Sequence, residues 1–275
     1  MATVLKLGGE LLDDAPAVRA AAAAIVRLAT TTPVVVVHGG GRAIDAELRA
    51  RGNTPSFVDG LRITDDAALD AVVSVLAGRT NTALVAAIGA AGGRAVGLTG
   101  ADGRIGLSSR LGSITSTKGE VVDLGLVGQP DGTDASLLAD LLSFGCIPVV
   151  ASIGMTREGT LLNVNADTIA AHLAGLLKAE RLIIAGATAG VLDAGDQLIQ
   201  SLSLEGIDRM IASGDAHSGM VAKLTACRAA LIAGVTEVAI VGGRGVADYA
   251  SASGTVIHRE TVARVARAGV GPREH

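Results

Sequence analysis

The chain has 275 residues and a formal net charge of −4 at pH 7, from 23 Lys and Arg against 27 Asp and Glu. This mild acidity argues against a nucleic-acid binder, which would present a basic face to the phosphate backbone. Hydrophobic residues make up 49% of the chain and charged residues 18%, so we expect a folded core and no extensive disorder. The length fits one large domain or two ordinary ones.

The mean hydropathy of +0.49 raises the question of a membrane span. The longest stretch without Asp, Glu, Lys or Arg covers only 16 residues, 141–156, and is interrupted by Pro148. A spanning helix needs roughly 20 mostly apolar residues, and the N-terminus shows no basic segment followed by an apolar one. We therefore expect no membrane span and no signal peptide. We expect the protein to be cytoplasmic.

Cysteines and aromatic residues are scarce. Cys146 and Cys227 lie far apart in apolar surroundings, so we expect two reduced thiols. The aromatic residues are Phe57, Phe144 and Tyr249. A bound nucleotide would therefore be held by backbone groups, phosphate contacts and aliphatic packing rather than by base stacking.

Apolar β-branched runs alternate with Ala- and Leu-rich helical patterns along the chain. Strands are predicted at residues 3–7, 33–38, 94–98, 147–151, 181–184 and 237–241. Helices are predicted at residues 16–28, 43–51, 65–91, 166–177, 204–213 and 218–233. Strands without polar alternation are typical of a sheet covered on both faces, and their alternation with helices predicts a mostly parallel sheet.

The pattern changes at two places. Between residues 99 and 133 glycines separate short strand-like pieces, which predicts antiparallel hairpins inserted in the α/β domain. A second change near residues 176–180 predicts a boundary between two lobes. We place the N-terminal lobe at residues 1–178 and the C-terminal lobe at residues 179–275.

Two glycine-rich turns follow predicted strands. Lys6 ends the first strand and is followed by Leu7, Gly8 and Gly9, and three glycines follow the second strand at 39–41. Glycines at such turns let backbone N–H groups approach an anion such as phosphate. For the first turn, the alternative is an ordinary strand end with a solvent-exposed lysine.

The second turn, His38-Gly39-Gly40-Gly41, matches two known motifs only in part. Its spacing breaks the dinucleotide-binding GxGxxG pattern. An esterase loop of this type would require a GxSxG nucleophile, which the chain lacks. The chain also contains no GxxxxGK[ST] motif, and we interpret His38 as structural rather than as a catalytic base.

Three further segments carry isolated polar residues. Arg62 is suited to clamp a carboxylate, although a loop arginine is usually a solvated surface residue. Asn165 with Asp167 reads as an ordinary helix N-terminus, which leaves Asn163 unexplained. Lys223 falls in the first turns of a predicted helix, where the helix dipole disfavours a cation, so an anionic ligand explains it better.

In order and spacing, these motifs together resemble the acetylglutamate kinases of the amino acid kinase family. The resemblance runs from Leu5 to about Val256, and its segments are residues 6–9, 36–41, 60–64, 162–167 and 219–223. The Asn-Val-Asn-Ala-Asp run with the Gly-Leu-Arg-Ile-Thr loop is the most selective part. It separates the chain from aspartate, glutamate 5-, carbamate and uridylate kinases.

The resemblance implies an ATP-dependent phosphorylation of the γ-carboxylate of N-acetyl-L-glutamate, a step of arginine synthesis, with Mg²⁺ on the ATP phosphates. It implies an open three-layer α/β/α sandwich with a mostly parallel central sheet. The N-terminal lobe would take the acyl substrate and carry the interface of a homodimer, and the C-terminal lobe would take ATP.

The resemblance also implies roles for individual residues. Lys6 would stabilise the transferring phosphoryl group, Lys223 the leaving ADP, and Asp167 would hold both lysines in place. Arg62 would clamp the substrate α-carboxylate and Asn163 would bind the acetamido substrate. Backbone N–H donors to the phosphates and the transition state would come from Gly8, Gly9, Gly40 and Gly41. No side-chain metal site is predicted.

The chain departs from the family pattern in its nucleotide lobe. The family has Ser/Thr-Asp-Val-x-Gly where this chain has Gly186-Ala187-Thr188-Ala189-Gly190. In the family this aspartate helps to bind the nucleotide. The resemblance therefore implies that alanine at position 187 alters nucleotide affinity or nucleotide choice. Asp193, in the following segment, is retained. The chain also has Gly242-Gly243-Arg244 where the family pattern has Asp-Gly-Arg.

Two alternatives stay open. One is a sibling kinase acting on another N-blocked or carrier-linked amino acid, such as an aminoadipate. The other is a non-catalytic, ligand-binding regulator of the same fold, which Ala187 suggests. The joint presence of Lys6, Asp167 and Lys223 argues against the regulator.

Overall fold

The computed structural model describes residues 1–216 and 218–259. Its larger strands form one eight-stranded sheet. The strands are β1 (Thr3–Leu7), β2 (Val34–His38), β3 (Phe57–Val58), β4 (Leu61–Arg62), β5 (Ala95–Thr99), β6 (Ser108–Arg110), β7 (Ser113–Thr115), β8 (Val121–Asp123), β9 (Val127–Pro130), β10 (Ile147–Ala151), β11 (Ile153–Met155), β12 (Leu161–Val164), β13 (Arg181–Gly186), β14 (Ser201–Ser203), β15 (Glu237–Gly242) and β16 (Gly254–His258).

The helices occupy the segments between these strands. They are α1 (Ala15–Ala29), α2 (Gly41–Ala50), α3 (Asp66–Val73), α4 (Thr82–Ala90), α5 (Ser136–Ser143), α6 (Ala166–Leu176), α7 (Leu204–Ser213) and α8 (Ser218–Ile232). A π-helical segment, Ser74–Asn81, joins α3 to α4.

The large sheet has the strand order β14-β16-β15-β13-β1-β2-β10-β5. All neighbours in it pair in parallel except β15 and β16, which are antiparallel. The predicted mostly parallel sheet is therefore confirmed. Because parallel strands end at the same edge, the loops after β1, β2 and β13 meet there.

Aliphatic side chains cover both faces of the sheet. Val4 of β1 belongs to the same buried cluster as Ile169 of α6 and Leu224 of α8, whereas its neighbour Leu5 belongs to a second cluster with Ile25 of α1. This alternation follows from the two-residue period of a strand. The result is helix layers on both sides of the sheet, which confirms the three-layer α/β/α sandwich.

The six predicted strands and six predicted helices are present, with ends displaced by at most two residues. The sequence patterns did not predict α5, the edge strand β14 and its neighbour β16 in the large sheet, or the short strands β3, β4, β11 and β12. Helix α5 has only eight residues, which gives little room for a helical period. The predicted hairpins are confirmed, because β7 pairs with β8 and β6 with β9 in antiparallel fashion.

The helical stretch Asp66–Ala90 combines α3, the π-helical segment and α4. Its 25 residues and hydropathy of 1.5 would suffice in length and composition to cross a membrane. Its side chains Val75, Leu76, Leu84 and Ile88 are fully buried within the protein. The core helix of a folded protein can have the same length and composition, so these two properties alone do not indicate a membrane span.

The predicted lobe boundary at residues 178 and 179 falls between α6 and β13. The large sheet runs continuously across it, because β13 pairs directly with β1. The division into residues 1–178 and 179–275 stays a prediction, and residues 260–275 of the predicted C-terminal lobe lie outside the described residues.

Candidate active site

Two glycine turns meet at the carboxyl edge of the sheet. Strands β1 and β2 are neighbours with Leu7 opposite His38, so the residues that follow each strand lie side by side. A Cβ atom on Gly9 would lie 2.8 Å from the Cα atom of Gly40. The two backbones therefore approach so closely that a side chain on Gly9 would have no room.

The second turn leads into the N-terminus of α2. Gly40 is the N-cap residue, makes no side-chain capping bond, and is followed by a first turn without an acidic residue. The first backbone N–H groups of a helix have no partner inside it and favour an anion. A Cβ on Gly41 would meet nothing within 4 Å, so this end of the helix is open.

One carboxylate lies between two lysines. The Lys6 Nζ atom is 2.8 Å from Asp167 Oδ1, and the Lys223 Nζ atom is 3.7 Å from Asp167 Oδ2. Lys6 extends from β1 on the side of Val4, which faces α6, and Asp167 lies in the first turn of α6. The Asn165 side chain caps this helix by accepting hydrogen bonds from the backbone N–H groups of Asp167 and Thr168.

The lysine charges decide the protonation state of this carboxylate. Burial alone would raise the pKa of Asp167, but Lys6 and Lys223 outweigh it and hold the pKa below its usual range. The side chains of Lys6 and Asp167 are each only 7% exposed. Asp167 is therefore ionised near neutral pH and keeps both ammonium groups close to the same point.

One terminal nitrogen of the Arg62 guanidinium has protein partners and the other has none. Its Nη2 atom lies 2.7 Å from Asp45 Oδ1 and donates a hydrogen bond to the carbonyl oxygen of Gly41. Its guanidinium lies 4.6 Å from the centre of the Phe57 ring. Its Nη1 atom is buried and has no hydrogen-bond partner among the described residues. A buried, unpaired guanidinium nitrogen is suited to an anionic ligand.

Asn163 lies near this arginine on β12. Its Nδ2 atom donates a hydrogen bond to Thr64 Oγ1, and the Thr64 hydroxyl in turn donates to the carbonyl oxygen of Arg62. The network connects β12 to the end of β4. It fixes the orientation of the Asn163 amide.

Two neighbouring cavities contain the predicted site residues. A cavity of about 200 Å³ is lined by Lys6, Gly8, Gly9, Gly40, Gly41, Arg62 and Asn163. A second cavity, of about 310 Å³, is lined by Lys223 together with Thr188, Gly190, Asp193 and Asp215. Asp167 connects the two through its lysines, so the structure brings all nine predicted site residues to one region. A larger cavity of about 580 Å³ beside α7 and α8 adjoins the first one through Leu61, Val127 and Asn165, but it is not lined by Lys6 or Lys223.

His38 has a structural position in this region. Its Nε2 atom lies 3.0 Å from the Asn81 Nδ2 atom and its Nδ1 atom lies 3.1 Å from the Gly39 carbonyl oxygen. Burial lowers the pKa of His38 to about 4, although the contact with Gly39 opposes the shift. The neutral ring accepts from Asn81 and donates to Gly39, which leaves it no free nitrogen for a substrate.

The two cysteines contribute no chemistry to the site. Cys227 is fully buried, and burial with the nearby Asp167 charge raises its pKa, so it stays a thiol. Cys146 is a free, partly buried thiol, as expected. Within residues 1–216 and 218–259, no group of three or more His, Cys, Asp or Glu side chains is placed to hold a metal ion.

Sequence reasoning missed several residues of this region. Asp45 is an acidic residue about one turn into α2, which is an ordinary position for such a residue. Its pairing with Arg62 could not be predicted, because Arg62 lies in a different element. Asp196 and Asp215 line the second cavity, together with the already noted Asp193, from loops with no regular spacing. Glu10 directly follows the first glycine turn and reaches the loop after β13.

Comparisons with known proteins identify the family of this chain. The model of the amino acid kinase family matches residues 1–242. An acetylglutamate kinase of a Bradyrhizobium species (strain ORS 278) is 42% identical over 246 residues, which cover 88% of this chain and 83% of the relative. An acetylglutamate kinase of Afipia carboxidovorans is 43% identical over 211 residues, covering 75% of this chain and 72% of that one.

Solved structures share the fold. The N-acetylglutamate synthase of Neisseria gonorrhoeae, complexed with coenzyme A and N-acetyl-glutamate, matches with a TM-score of 0.81 at 26% identity. That match covers 94% of this chain but only 60% of the synthase chain. A carbamate kinase of Giardia matches with a TM-score of 0.69 at 15% identity, over 94% of this chain and 99% of that one, which shows the fold alone.

The matched length, the identity to curated relatives and the shared sandwich all agree with the motif series. The chain belongs to the amino acid kinase family.

Proposed function

We propose that this protein transfers the γ-phosphoryl group of ATP to the side-chain carboxylate of N-acetyl-L-glutamate, a step of arginine biosynthesis. The curated relatives with about 42% identity are acetylglutamate kinases, which supports this activity. The observation that carries the proposal is the convergence of Lys6 and Lys223 on the buried Asp167 between two cavities. One cavity offers an arginine for a carboxylate, and the other offers a lysine beside a glycine-containing loop.

The acceptor requires no general base. A side-chain carboxylate has a pKa near 4 and is already ionised at pH 7. One of its oxygens forms the new bond to the γ-phosphorus, while the bond from that phosphorus to the bridging oxygen breaks and ADP takes the electron pair. No proton moves in this step, and the neutral, buried His38 is consistent with it.

The main requirement is electrostatic. Two anions must meet, and charge spreads over the transferring phosphoryl group. In the proposed assignment, Lys6 neutralises the transferring group from the acyl-substrate side and Lys223 neutralises the leaving ADP. The N–H groups of Gly8, Gly9, Gly40 and Gly41 add fixed donors at the glycine turns, and Asp167 keeps the two lysines in position.

Substrate selection falls to Arg62 and Asn163. The unpaired Nη1 atom of Arg62 is assigned to the α-carboxylate of N-acetyl-L-glutamate. Asn163, which lines the same cavity, is assigned to the acetamido substrate. Free glutamate would bring a positive α-ammonium group to this region, where Lys6 and Arg62 already concentrate positive charge, so we expect it to be a poor substrate.

Mg²⁺ is proposed to arrive with ATP. Three carboxylates of the described residues, Asp193, Asp196 and Asp215, line the second cavity. This fits Mg²⁺, which usually keeps several waters and binds phosphates with one or two carboxylates. When bound, it would screen the phosphate charge, while Lys223 holds the leaving side.

We also propose that the protein is a cytoplasmic homodimer with its interface on the N-terminal lobe. The two free cysteines support a reducing compartment. Light scattering coupled to gel filtration tests the dimer: a mass of about twice the 27.3 kDa chain is expected. A mass equal to one chain at micromolar concentration would contradict it.

A hydroxylamine trap for acyl phosphate tests the activity. The protein is incubated with MgATP and either N-acetyl-L-glutamate, L-glutamate or N-acetyl-L-aminoadipate. Hydroxamate is expected with N-acetyl-L-glutamate and not with the other two. Hydroxamate mainly with the aminoadipate would favour a sibling kinase, and none with any acceptor from folded protein would favour a binding protein without turnover.

A further inference from the structure

A glutamate from the first glycine turn reaches the place where the chain lacks an aspartate. The Oε1 atom of Glu10 accepts a hydrogen bond of 2.9 Å from the backbone N–H of Ala187, a residue 177 positions away in sequence. We infer that Glu10 supplies the carboxylate function missing at Ala187 and positions the nucleotide loop, residues 186–190. This inference rests on the proposed function.

The neighbouring glycines leave room for this carboxylate. A Cβ on Gly8 would lie 2.4 Å from Glu10 Oε1 and 2.6 Å from Oε2. A Cβ on Gly186 would lie 3.2 Å from Glu10 Oε1. The Glu10 side chain thus folds back over Gly8 and lies against Gly186, in space that a larger residue at either position would restrict.

The carboxylate also lies close to the catalytic lysine of the nucleotide lobe. The same Cβ built on Gly186 would lie 3.9 Å from the Cε atom of Lys223. Glu10 and Lys223 therefore both lie close to Gly186. A carboxylate there holds the loop through a charge-assisted hydrogen bond and lies beside the side chain of Lys223.

The loop that Glu10 holds is part of the nucleotide cavity. Thr188 and Gly190, which follow the bonded residue Ala187, line that cavity together with Lys223. A shift of the Ala187 backbone would move both lining residues. Glu10 itself lines the cavity that contains Lys6 and Arg62, and it reaches the nucleotide cavity through its bond to Ala187. Glu10 is thus a positioning residue whose loss is expected to affect nucleotide binding more than the binding of the acyl substrate.

Only one carboxylate fits this position comfortably. An aspartate at 187 would place a second negative charge next to Gly186, where the Glu10 carboxylate already lies. Two carboxylates sharing one site repel, and one of them must take up a proton or move. The inference therefore predicts that Glu10 and an aspartate at 187 are alternatives rather than partners.

The test compares MgADP binding by calorimetry for wild type, Glu10→Ala, Glu10→Gln, Ala187→Asp, the double variant Glu10→Ala with Ala187→Asp, and a control variant. We expect Glu10→Ala to weaken MgADP binding about tenfold, as for loss of one charge-assisted hydrogen bond. Glu10→Gln keeps an acceptor oxygen and should stay within about threefold of wild type. The exposed Glu158→Ala is the matched control and should leave binding unchanged.

The double variant gives the sharpest result. Ala187→Asp alone should weaken binding, whereas in the Glu10→Ala background it should restore binding towards the wild-type value. In the hydroxamate assay, Glu10→Ala should raise KM for MgATP about tenfold and leave KM for N-acetyl-L-glutamate within about twofold. An equal rise of both KM values would indicate a merely structural role and overturn the inference.

The binding measurement separates this inference from the proposed function. If wild type binds MgADP but phosphorylates no acylated amino acid, the proposed function fails and the predicted order of the variants still supports Glu10. If Glu10→Ala binds MgADP as tightly as wild type, or wild type does not bind MgADP, the inference is wrong.

Discussion

Asp167 is a buried acid whose burial depends on the two lysines that face it. Its 2.8 Å contact with Lys6 compensates the loss of hydration of both charges, whereas Lys223 is farther away and three times as exposed at 21%. Removing one partner of such a pair leaves an uncompensated buried charge. The two lysines should therefore differ in their effect on stability while sharing an effect on catalysis.

Replacing either lysine should affect kcat far more than KM. We expect Lys6→Ala and Lys223→Ala each to lower kcat at least about 100-fold, since both groups act on charge that develops in the transition state. KM for N-acetyl-L-glutamate should change less than about threefold. Steady-state hydroxamate assays on protein shown to be folded by circular dichroism check this.

The control for the lysines is Lys178→Asn, which removes an exposed lysine from left-handed backbone that asparagine tolerates. It should leave both constants unchanged. An unaltered kcat in both active-site lysine variants would show that their transition-state roles are wrongly assigned.

In the proposed assignment, Arg62 acts in substrate binding rather than in phosphoryl transfer. Arg62→Ala should raise KM for N-acetyl-L-glutamate about 10- to 100-fold, because a charge-assisted contact to a carboxylate is lost. KM for MgATP should change little. Arg228→Ala, which removes an arginine from an exposed ion pair with Asp208, is the control. If KM for the acyl substrate stays at the wild-type value, another group must clamp its carboxylate.

The role of a single residue was predictable from sequence where its position in a helix already says something about its side chain. Asn165 was expected as a helix N-cap and accepts the expected backbone bonds. Lys223 was singled out because it opposes its own helix dipole. Asp45 and Glu10 were not found, because each acts through a contact with a residue distant in sequence, and nothing in their local pattern marks it.

Elements with a full hydrophobic period were the easiest to predict. Strands β1, β2 and β10 are buried throughout, and their apolar runs are unbroken by charge except at Lys6. The π-helical segment Ser74–Asn81 was merged into one long predicted helix. Its change of winding turns the buried Asn81 side chain towards His38 and the Val149 carbonyl oxygen, a tertiary arrangement that local propensity does not encode.

The packing of this π-helical segment against β5 depends on the absence of a side chain at Gly97. A Cβ there would lie 2.2 Å from Asn81 Oδ1. We expect Gly97→Ala to lower the free energy of unfolding by about 1–3 kcal/mol, since the extra methyl group overpacks a polar core contact. Urea titration measures the difference.

Gly89→Ala is the matched control, because a Cβ at Gly89 in α4 would meet nothing within 4 Å. It should be neutral or stabilise the protein by up to about 1 kcal/mol. Equal stability of Gly97→Ala and wild type would mean that Asn81 does not hold this position.

At the scale of the whole molecule, one sheet carries both parts of the site. Strand β1 lies between β2, which leads to the glycine turn at residues 39–41, and β13, which leads to the loop at residues 186–190. The fold class followed from the alternation of strands and helices. The strand order did not, because β1 pairs with a strand almost 180 residues away and no local signal specifies that pairing.

Buried His38 makes the stability of the protein depend on pH. Its folded pKa of about 4 lies below the unfolded value of 6.5, so the unfolded chain binds a proton first as the pH falls. Stability should therefore be complete above about pH 6.5 and decline towards pH 4. Between pH 7 and pH 5, this group should remove about 2 kcal/mol of unfolding free energy.

Urea titrations at both pH values check the contribution of His38. Burial also lowers the pKa of His172, so part of the loss should survive in His38→Gln. The variant should nevertheless show a clearly smaller difference between pH 7 and pH 5 than wild type. An equal difference in both proteins would exclude His38 as the main source.

The most direct measurement of the central claim follows an oxygen atom. N-acetyl-L-glutamate labelled with ¹⁸O in its side-chain carboxylate is incubated with MgATP and the protein, and the product is observed by ³¹P NMR. Attack by the carboxylate predicts an acyl phosphate whose bridging oxygen carries the label. Release of unlabelled phosphate from ATP, without a labelled acyl phosphate, would show that water is the acceptor and would contradict the account.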